Sequence, residues 1–214
     1  MPPRLPRRRH PDRGRGRGGA VTGAEERQGN ARQQILVSGV GGQGVLFVSR
    51  LLAEAAIGRS LSVLTSETHG MAQRGGTVVS HLKVGGFHGP LIRTGQADGI
   101  IALREENLSA HRRFLAPSGW AVVNSEHPPA EGYVFPVHAV DAAGIAGKAG
   151  IPRGTNLVLL GFLLSRVGSS GEGGRLFCAR DNLRKALERR FGGDPRALQE
   201  SLEALALGLR HGME

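Results

Sequence analysis

Residues 35–83 read ILVSGVGGQGVLFVSRLLAEAAIGRSLSVLTSETHGMAQRGGTVVSHLK, and this stretch decides the fold. Ile35-Leu36-Val37 is a short apolar run, which reads as a buried strand, and Gly39-Val40-Gly41-Gly42-Gln43-Gly44 follows at once. That order satisfies G-x-G-x-x-G after a strand and before a helix. Gly39 is expected to permit a tight turn, Gly41 to let backbone approach a ligand, and Gly44 to let helix and strand pack closely. Gly42 and Gln43 complete the turn, whose exposed N–H groups open a helix and suit an anion. Val45, Val48, Leu51, Leu52 and Ala55 continue at helical spacing to about Gly58. The bland alternative is a glycine turn with no ligand.

Ser62 to Ser66 reads as a second strand ended by Glu67. An acid there, at close to the roughly 20 residues expected from the glycine turn, would hold ribose hydroxyls in a dinucleotide site. An NAD- or flavin-binding enzyme is therefore one open reading. The next residues count against it. Thr68-His69-Gly70-Met71-Ala72-Gln73-Arg74-Gly75-Gly76 is a polar loop closing on a double glycine, and Thr77 to Lys83 then alternates as a strand.

Taken together, Gly-x-Gly-Gly-Gln-Gly opening a helix and Glu-x-His-Gly-Met-x-Gln-Arg-Gly-Gly before a strand resemble the gamma domain of the 2-oxoacid:ferredoxin oxidoreductases. Within that group the sequence is most similar to the small subunit of indolepyruvate ferredoxin oxidoreductase. The two motifs span Gly39 to Gly76, and a looser similarity runs from Ile35 to about Gly168. The resemblance implies oxidative decarboxylation of a 2-oxoacid to an acyl-CoA, CO2 and reduced ferredoxin. It also implies a chain inactive without a larger subunit that carries thiamine diphosphate and iron–sulfur clusters. Coenzyme A would pass near the glycine turn. Gly39, Gly41, Gly42, Gln43, Gly44, Glu67, Gln73, Arg74 and Asn156 are the site residues it suggests, with no metal and no assigned catalytic residue. Arg74 would suit a phosphate or carboxylate through paired hydrogen bonds, or an ion pair with the larger subunit. Glu67 and His69 could together orient the loop.

The residues themselves agree with a chain that binds no redox cofactor alone. No Gly-Asp-Gly thiamine motif occurs, and Cys178 is the single cysteine, too few for a cluster. The lone cysteine also rules out an internal disulfide and fits a reducing compartment. His69 and His81, twelve apart with no third ligand, form no recognised metal spacing. No apolar run follows the basic N-terminus as in a secretory leader, and Leu157 to Leu164 is too short to span a bilayer. A cytoplasmic protein is expected.

Charge is uneven. The formal net charge is +10, and residues 1–32 hold nine arginines against Asp12, Glu25 and Glu26. This Pro-, Arg- and Gly-rich arm has almost nothing to bury, so it is expected to stay disordered beside a domain spanning 33–214. Nucleic-acid binding through the arm is a further alternative, disfavoured because no aromatic is interleaved for base stacking.

Beyond the motif, the alternation of short apolar strands with helices predicts a three-layer α/β, Rossmann-like domain. Its sheet should be mainly parallel with an antiparallel edge around Thr77–Leu91, including a hairpin at Leu91-Ile92. Asp98–Leu103, Trp120–Asn124 and Val134–Val137 read as further strands, with a turn at Pro117-Ser118-Gly119. Helices are expected over 105–115 and 141–149. Another begins at Thr155-Asn156 and is apolar nearly all round, which requires burial on most sides. Asn156 is either a site residue or a helix-start residue. C-terminal helices follow, one capped by Asp181 and stopped by Gly192, the next opened by Asp194-Pro195 with a stripe of Leu198, Leu202, Leu205 and Leu209.

Overall fold

The computed structural model describes residues 32–69, 76–127, 132–168 and 176–213. Residues 1–31 of the basic arm therefore lie outside the described residues. Six strands form one sheet: β1 (Gln33–Val40), β2 (Val63–His69), β3 (Thr77–Val84), β4 (Ala97–Ala102), β5 (Leu115–Asn124) and β6 (Val137–Val140). Their order is β2-β3-β1-β4-β5-β6, with β1, β4, β5 and β6 mutually parallel and β3 antiparallel to both its neighbours.

The antiparallel strand falls on the expected residues but not at the rim. Helix α1 (Val45–Ile57) carries the chain across to β2, which runs parallel to β1 at one strand's remove. The chain then turns straight back through β3, which fills the slot between them. A direct return can only be antiparallel. Leu91-Ile92 forms no hairpin. Instead Ile92 is buried, and its N–H donates to His81 Nδ1 at 3.2 Å. Burial, with Lys83 and His111 nearby, holds the His81 imidazole below its ordinary range, which keeps that nitrogen free to accept. Pro117-Ser118-Gly119 is no turn but the irregular part of a single strand, where the register to β4 shifts between Ala97/Leu115 and Gly99/Trp120. Gly99 lets this happen, because the Trp120 ring lies where a side chain on Gly99 would sit.

The strands' period of two splits the core. Ile35 and Val37 face the larger cluster, shared with α1, α4 (Thr155–Leu163) and α5 (Arg180–Phe191). Leu36, Ile100, Ala102 and Val123 face a smaller one, closed by α2 (Glu105–His111) and by Ile92, Leu115 and Phe114. The layers are thus unequal, with α3 (Ala142–Lys148), α4, α5 and α6 (Pro195–His211) all on the larger side.

The apolar α4 is buried because it is sandwiched: sheet and α1 beneath, α6 above. The contact with α6 is a backbone approach. A Cβ on Gly161 would collide with the Leu205 carbonyl, and one on Gly208 with the Val158 carbonyl. The C-terminal helices therefore pack on their own chain. Asp194 caps α6 by accepting from Ala197 N–H at 3.0 Å, with Pro195 at the first position. Asp181 does not cap α5. It lies inside the first turn, and the Asn182 side chain instead accepts from Ala179 N–H at 2.8 Å. No helix among the described residues is long and apolar enough to cross a membrane.

Candidate functional site: the glycine turn and its cleft

At the C-terminal end of β1 the chain reverses into α1 within four residues, and hydrogen bonds fix each step. Gln43 closes the turn twice: its N–H donates to the Val40 carbonyl at 3.0 Å, and its Oε1 accepts from Val40 N–H at 2.7 Å. Gly42 and Gly44 have φ of +92° and +85°, conformations that penalise any side chain. Gly39 serves packing rather than turning. A Cβ there would lie 2.8 Å from Val45 Cγ2 and 3.1 Å from Leu103 Cδ1. The part expected of Gly41 also differs. Its N–H is engaged by the Gly76 carbonyl at 3.0 Å, and a Cβ would have ordinary room, with that oxygen 3.8 Å away. Gly42 is the residue with open space around it, so close backbone approach belongs to Gly42.

Asn156 reaches this turn from the far side of the chain. At the start of α4, its Nδ2 donates to the Gln43 carbonyl at 2.7 Å. The same nitrogen would lie 2.5 Å from a Cβ on Gly44, so the two positions are matched. Asn156 is thus more than a helix-start residue: it holds the outer rim of the turn. The first N–H groups of α1 have no intrahelical acceptor, since the first such bond is Val48 N–H to Gly44 O at 3.1 Å, and no acid stands in the first turn.

Around the turn opens a cleft of about 730 Å³. It lies over the C-terminal ends of β1, β4 and β5, where β1 leads to one side of the sheet and β4 to the other. Open α/β sheets bind ligands at such a reversal. One wall holds Gly42, Gln43, Gly44 and Phe47, another Leu103, Arg104 and Asn124, and the third the segment 151–157 with Glu200 and Ser201 of α6. Asn124 links the end of β4 to the start of α3, donating to the Leu103 carbonyl at 3.4 Å and accepting from Ala143 N–H at 3.3 Å. Arg104 and Arg153 are exposed at the cleft and make no ion pair among the described residues. Glu200, in contrast, is held by Arg196 at 2.9 Å. The cleft therefore offers two free guanidinium groups and a helix N-terminus, a set suited to phosphate or carboxylate.

Arg104 and Arg153 are the residues that reading the motif alone overlooks. Each had a signal: Arg104 follows the buried strand β4, where switch-point ligands sit, and Arg153 lies three residues before Asn156. Of the expected site, Gly39, Gly41, Gly42, Gln43, Gly44 and Asn156 are brought together. Glu67 is not. It stands on the edge strand β2, level with Ser80 and Val37, with the whole of β3 between it and β1. Two strand spacings are about 10 Å, which removes Glu67 from the ribose position of a dinucleotide site and takes away its main support. Gln73, Arg74 and the side chain of His69 lie outside the described residues. Burial pushes the Cys178 thiol up to about 12, with Arg59 only partly opposing, so it is neutral and inert at physiological pH.

The comparisons with known proteins agree with this fold. Residues 34–211 match the family model for pyruvate ferredoxin/flavodoxin oxidoreductase. Indolepyruvate oxidoreductase subunit IorB of Archaeoglobus fulgidus is 39% identical over 152 residues, covering 62% of this chain and 76% of the relative. The gamma subunit of a keto/oxoacid ferredoxin oxidoreductase from Geobacter sulfurreducens superposes with a TM-score of 0.64 at 23% identity, covering 85% of this chain and 98% of that one. A 2-oxoglutarate:ferredoxin oxidoreductase from Magnetococcus marinus, solved with 2-oxoglutarate, coenzyme A and succinyl-CoA, gives 0.69 at 21% identity. There the match covers 85% of this chain but 31% of the longer polypeptide, and at these identities the two structures speak for the fold. With a family match across nearly all of its described residues and a close relative of the same kind, this is an oxidoreductase chain of the pyruvate ferredoxin/flavodoxin oxidoreductase family.

Proposed function

We propose that this chain is the thiamine-free subunit of a cytoplasmic 2-oxoacid:ferredoxin oxidoreductase acting on indolepyruvate or a similar aryl-2-oxoacid, and that its cleft receives coenzyme A. The observation that carries the second part is the pairing of Arg104 and Arg153, without ion partners among the described residues, with the glycine turn. The relative's name supports the substrate class, and coenzyme A bound in a structural neighbour supports the ligand.

The residues fit this ligand. A diphosphate would meet the guanidinium groups and the N–H groups at the start of α1, with Gly42 allowing backbone contact. A volume of about 730 Å³ lies within the usual range of about 300–1,000 Å³ for such sites. Gln43 and Asn156 act as positioning residues that hold the turn in its binding shape. The Gly76 carbonyl meets the turn at Gly41 N–H, and Gln73 and Arg74, just before it in sequence and outside the described residues, are proposed as further polar partners of the ligand.

Thiamine diphosphate and iron–sulfur clusters do not fit this chain, which has neither the motif nor the cysteines for them. They belong to the larger companion subunit, where thiamine supports decarboxylation and the clusters pass electrons to ferredoxin. This subunit's share is to bind and orient coenzyme A. Co-expression with the thiamine-bearing companion tests the reading. The chain alone should be colourless and inactive, and the complex should reduce ferredoxin with indolepyruvate only when coenzyme A is present. Activity of the isolated chain, or failure of the two chains to associate, would contradict it.

A further inference from the structure

The end of the sheet opposite the cleft carries a second concentration of charge that the proposed chemistry does not use. Arg32 precedes β1, Lys83 ends β3 beside it, Arg93 precedes β4, and Arg112 and Arg113 precede β5. The chain brings them together. Gly95 N–H donates to the Arg113 carbonyl at 3.0 Å, and Gln34 Nε2 donates to the Gln96 carbonyl at 2.8 Å. None of the five makes an ion pair among the described residues, whose ion pairs all lie on α1, α5 and α6. Asp98, the acid nearest in the sheet, is half-buried and accepts Gln34 N–H at 2.7 Å.

Two of these cations crowd one ring. The Arg32 guanidinium lies 4.3 Å from the Phe87 centroid and the Lys83 ammonium 5.1 Å from it. Lys83 is itself buried, and desolvation together with Arg93 and Arg32 pulls its ammonium below the usual lysine range. Arg113 covers Phe114 in the same way at 5.4 Å. Leu91, two residues before Arg93, stands exposed. Arginine, aromatic rings and an exposed leucine in one patch are the composition of a protein interface. Nucleic acid fits less well, because guanidinium groups occupy the ring faces on which bases would stack.

We propose that this end of the sheet is the face by which the chain is held in its complex, through an acidic surface of the companion subunit that sets a carboxylate among Arg32, Lys83 and Arg93. The arrangement leaves the cleft, a full strand length away, open to its ligand. A carboxylate there would relieve the mutual repulsion of the three cations and gain charge-assisted hydrogen bonds. The inference rests on the subunit reading above.

The test uses the complex of this chain with its thiamine- and iron–sulfur-bearing companion, with affinity measured by titrating one chain against the other at low and high salt. Arg93→Glu/Arg113→Glu should weaken assembly by roughly tenfold or more, and Arg93→Gln/Arg113→Gln by less. Lys185→Glu, on exposed α5, should leave it unchanged, and the wild-type affinity should fall as salt rises. Circular dichroism on each variant confirms folding. Full assembly of the charge-reversed chain with unchanged salt dependence would overturn the proposed face alone. A wild-type chain that does not assemble at all would overturn the subunit reading and this face with it. Retained RNA that the charge reversal removes, with assembly unaffected, would reassign the face and overturn the proposal.

Discussion

Gly208→Val is expected to lower the melting temperature by about 10 °C. Glycine within a helix ordinarily costs about 1 kcal/mol against alanine, so a substitution there would by propensity alone stabilise α6. Packing reverses the sign. A Cβ on Gly208 would overlap the Val158 carbonyl and lie 2.8 Å from Phe162 N, both backbone atoms of α4 that cannot swing aside. Gly161 faces the same seam, 2.9 Å from Leu209 N on the same measure, and Gly154 would meet Ala204 Cβ at 2.7 Å. The helices must separate along this whole line, exposing Leu157, Val158, Leu160 and Leu205. A loss of about 3–5 kcal/mol follows. At roughly 2–4 °C per kcal/mol for a chain of this size, that is the shift stated. Thermal unfolding followed by circular dichroism measures it, and a melting point within 2 °C or so of wild type would mean that the two helices do not touch as described.

Gly44→Val should reduce activity of the assembled complex by at least tenfold. Two effects act at one atom. A φ of +85° is strained for any β-branched residue, at a cost of roughly 1–3 kcal/mol. The new Cβ would also displace Asn156 Nδ2 and break its 2.7 Å bond to the Gln43 carbonyl. Asn156→Leu separates the two effects, since it removes the bond without backbone strain. It should cost about 1 kcal/mol in stability and reproduce most of the kinetic defect. Native activity in both variants would show that the shape of the turn does not matter to the reaction.

These expectations depend on features that the sequence displays unequally. The glycine turn, its strand and its helix are legible because φ, close packing and apolar periodicity all constrain residue type at the same places. The α6 seam is not. Hydropathy marks the stripe Leu198, Leu202, Leu205 and Leu209, of which only Leu205 is buried, whereas the buried face also takes in Ser201, Ala204 and Gly208. Small residues mark a close approach, and a reading based on large apolar side chains passes over them. Sheet order is hidden for another reason. Nothing local to β2 records that β3 will return between it and β1, so Glu67 stands where an acid would in a dinucleotide fold yet lies two strands from the turn. Arg104 and Arg153 are likewise ordinary surface residues until the sheet brings the ends of β4 and the start of α4 to the glycine turn. Asn156 was visible as a candidate, but its bond to Gln43 joins residues 113 apart and belongs to the fold alone.

The claim that the cleft meets coenzyme A is tested most directly by steady-state kinetics of the complex carrying Arg104→Gln/Arg153→Gln. Both side chains are exposed and away from the packed seam, so the fold should survive. A charge-assisted hydrogen bond to phosphate contributes about 1.5–3 kcal/mol when shielded and less at an open cleft. The Michaelis constant for coenzyme A should therefore rise by about tenfold or more, while that for the 2-oxoacid stays near its wild-type value. Unchanged constants for both substrates, or an equal rise in both, would contradict the assignment of this cleft to coenzyme A.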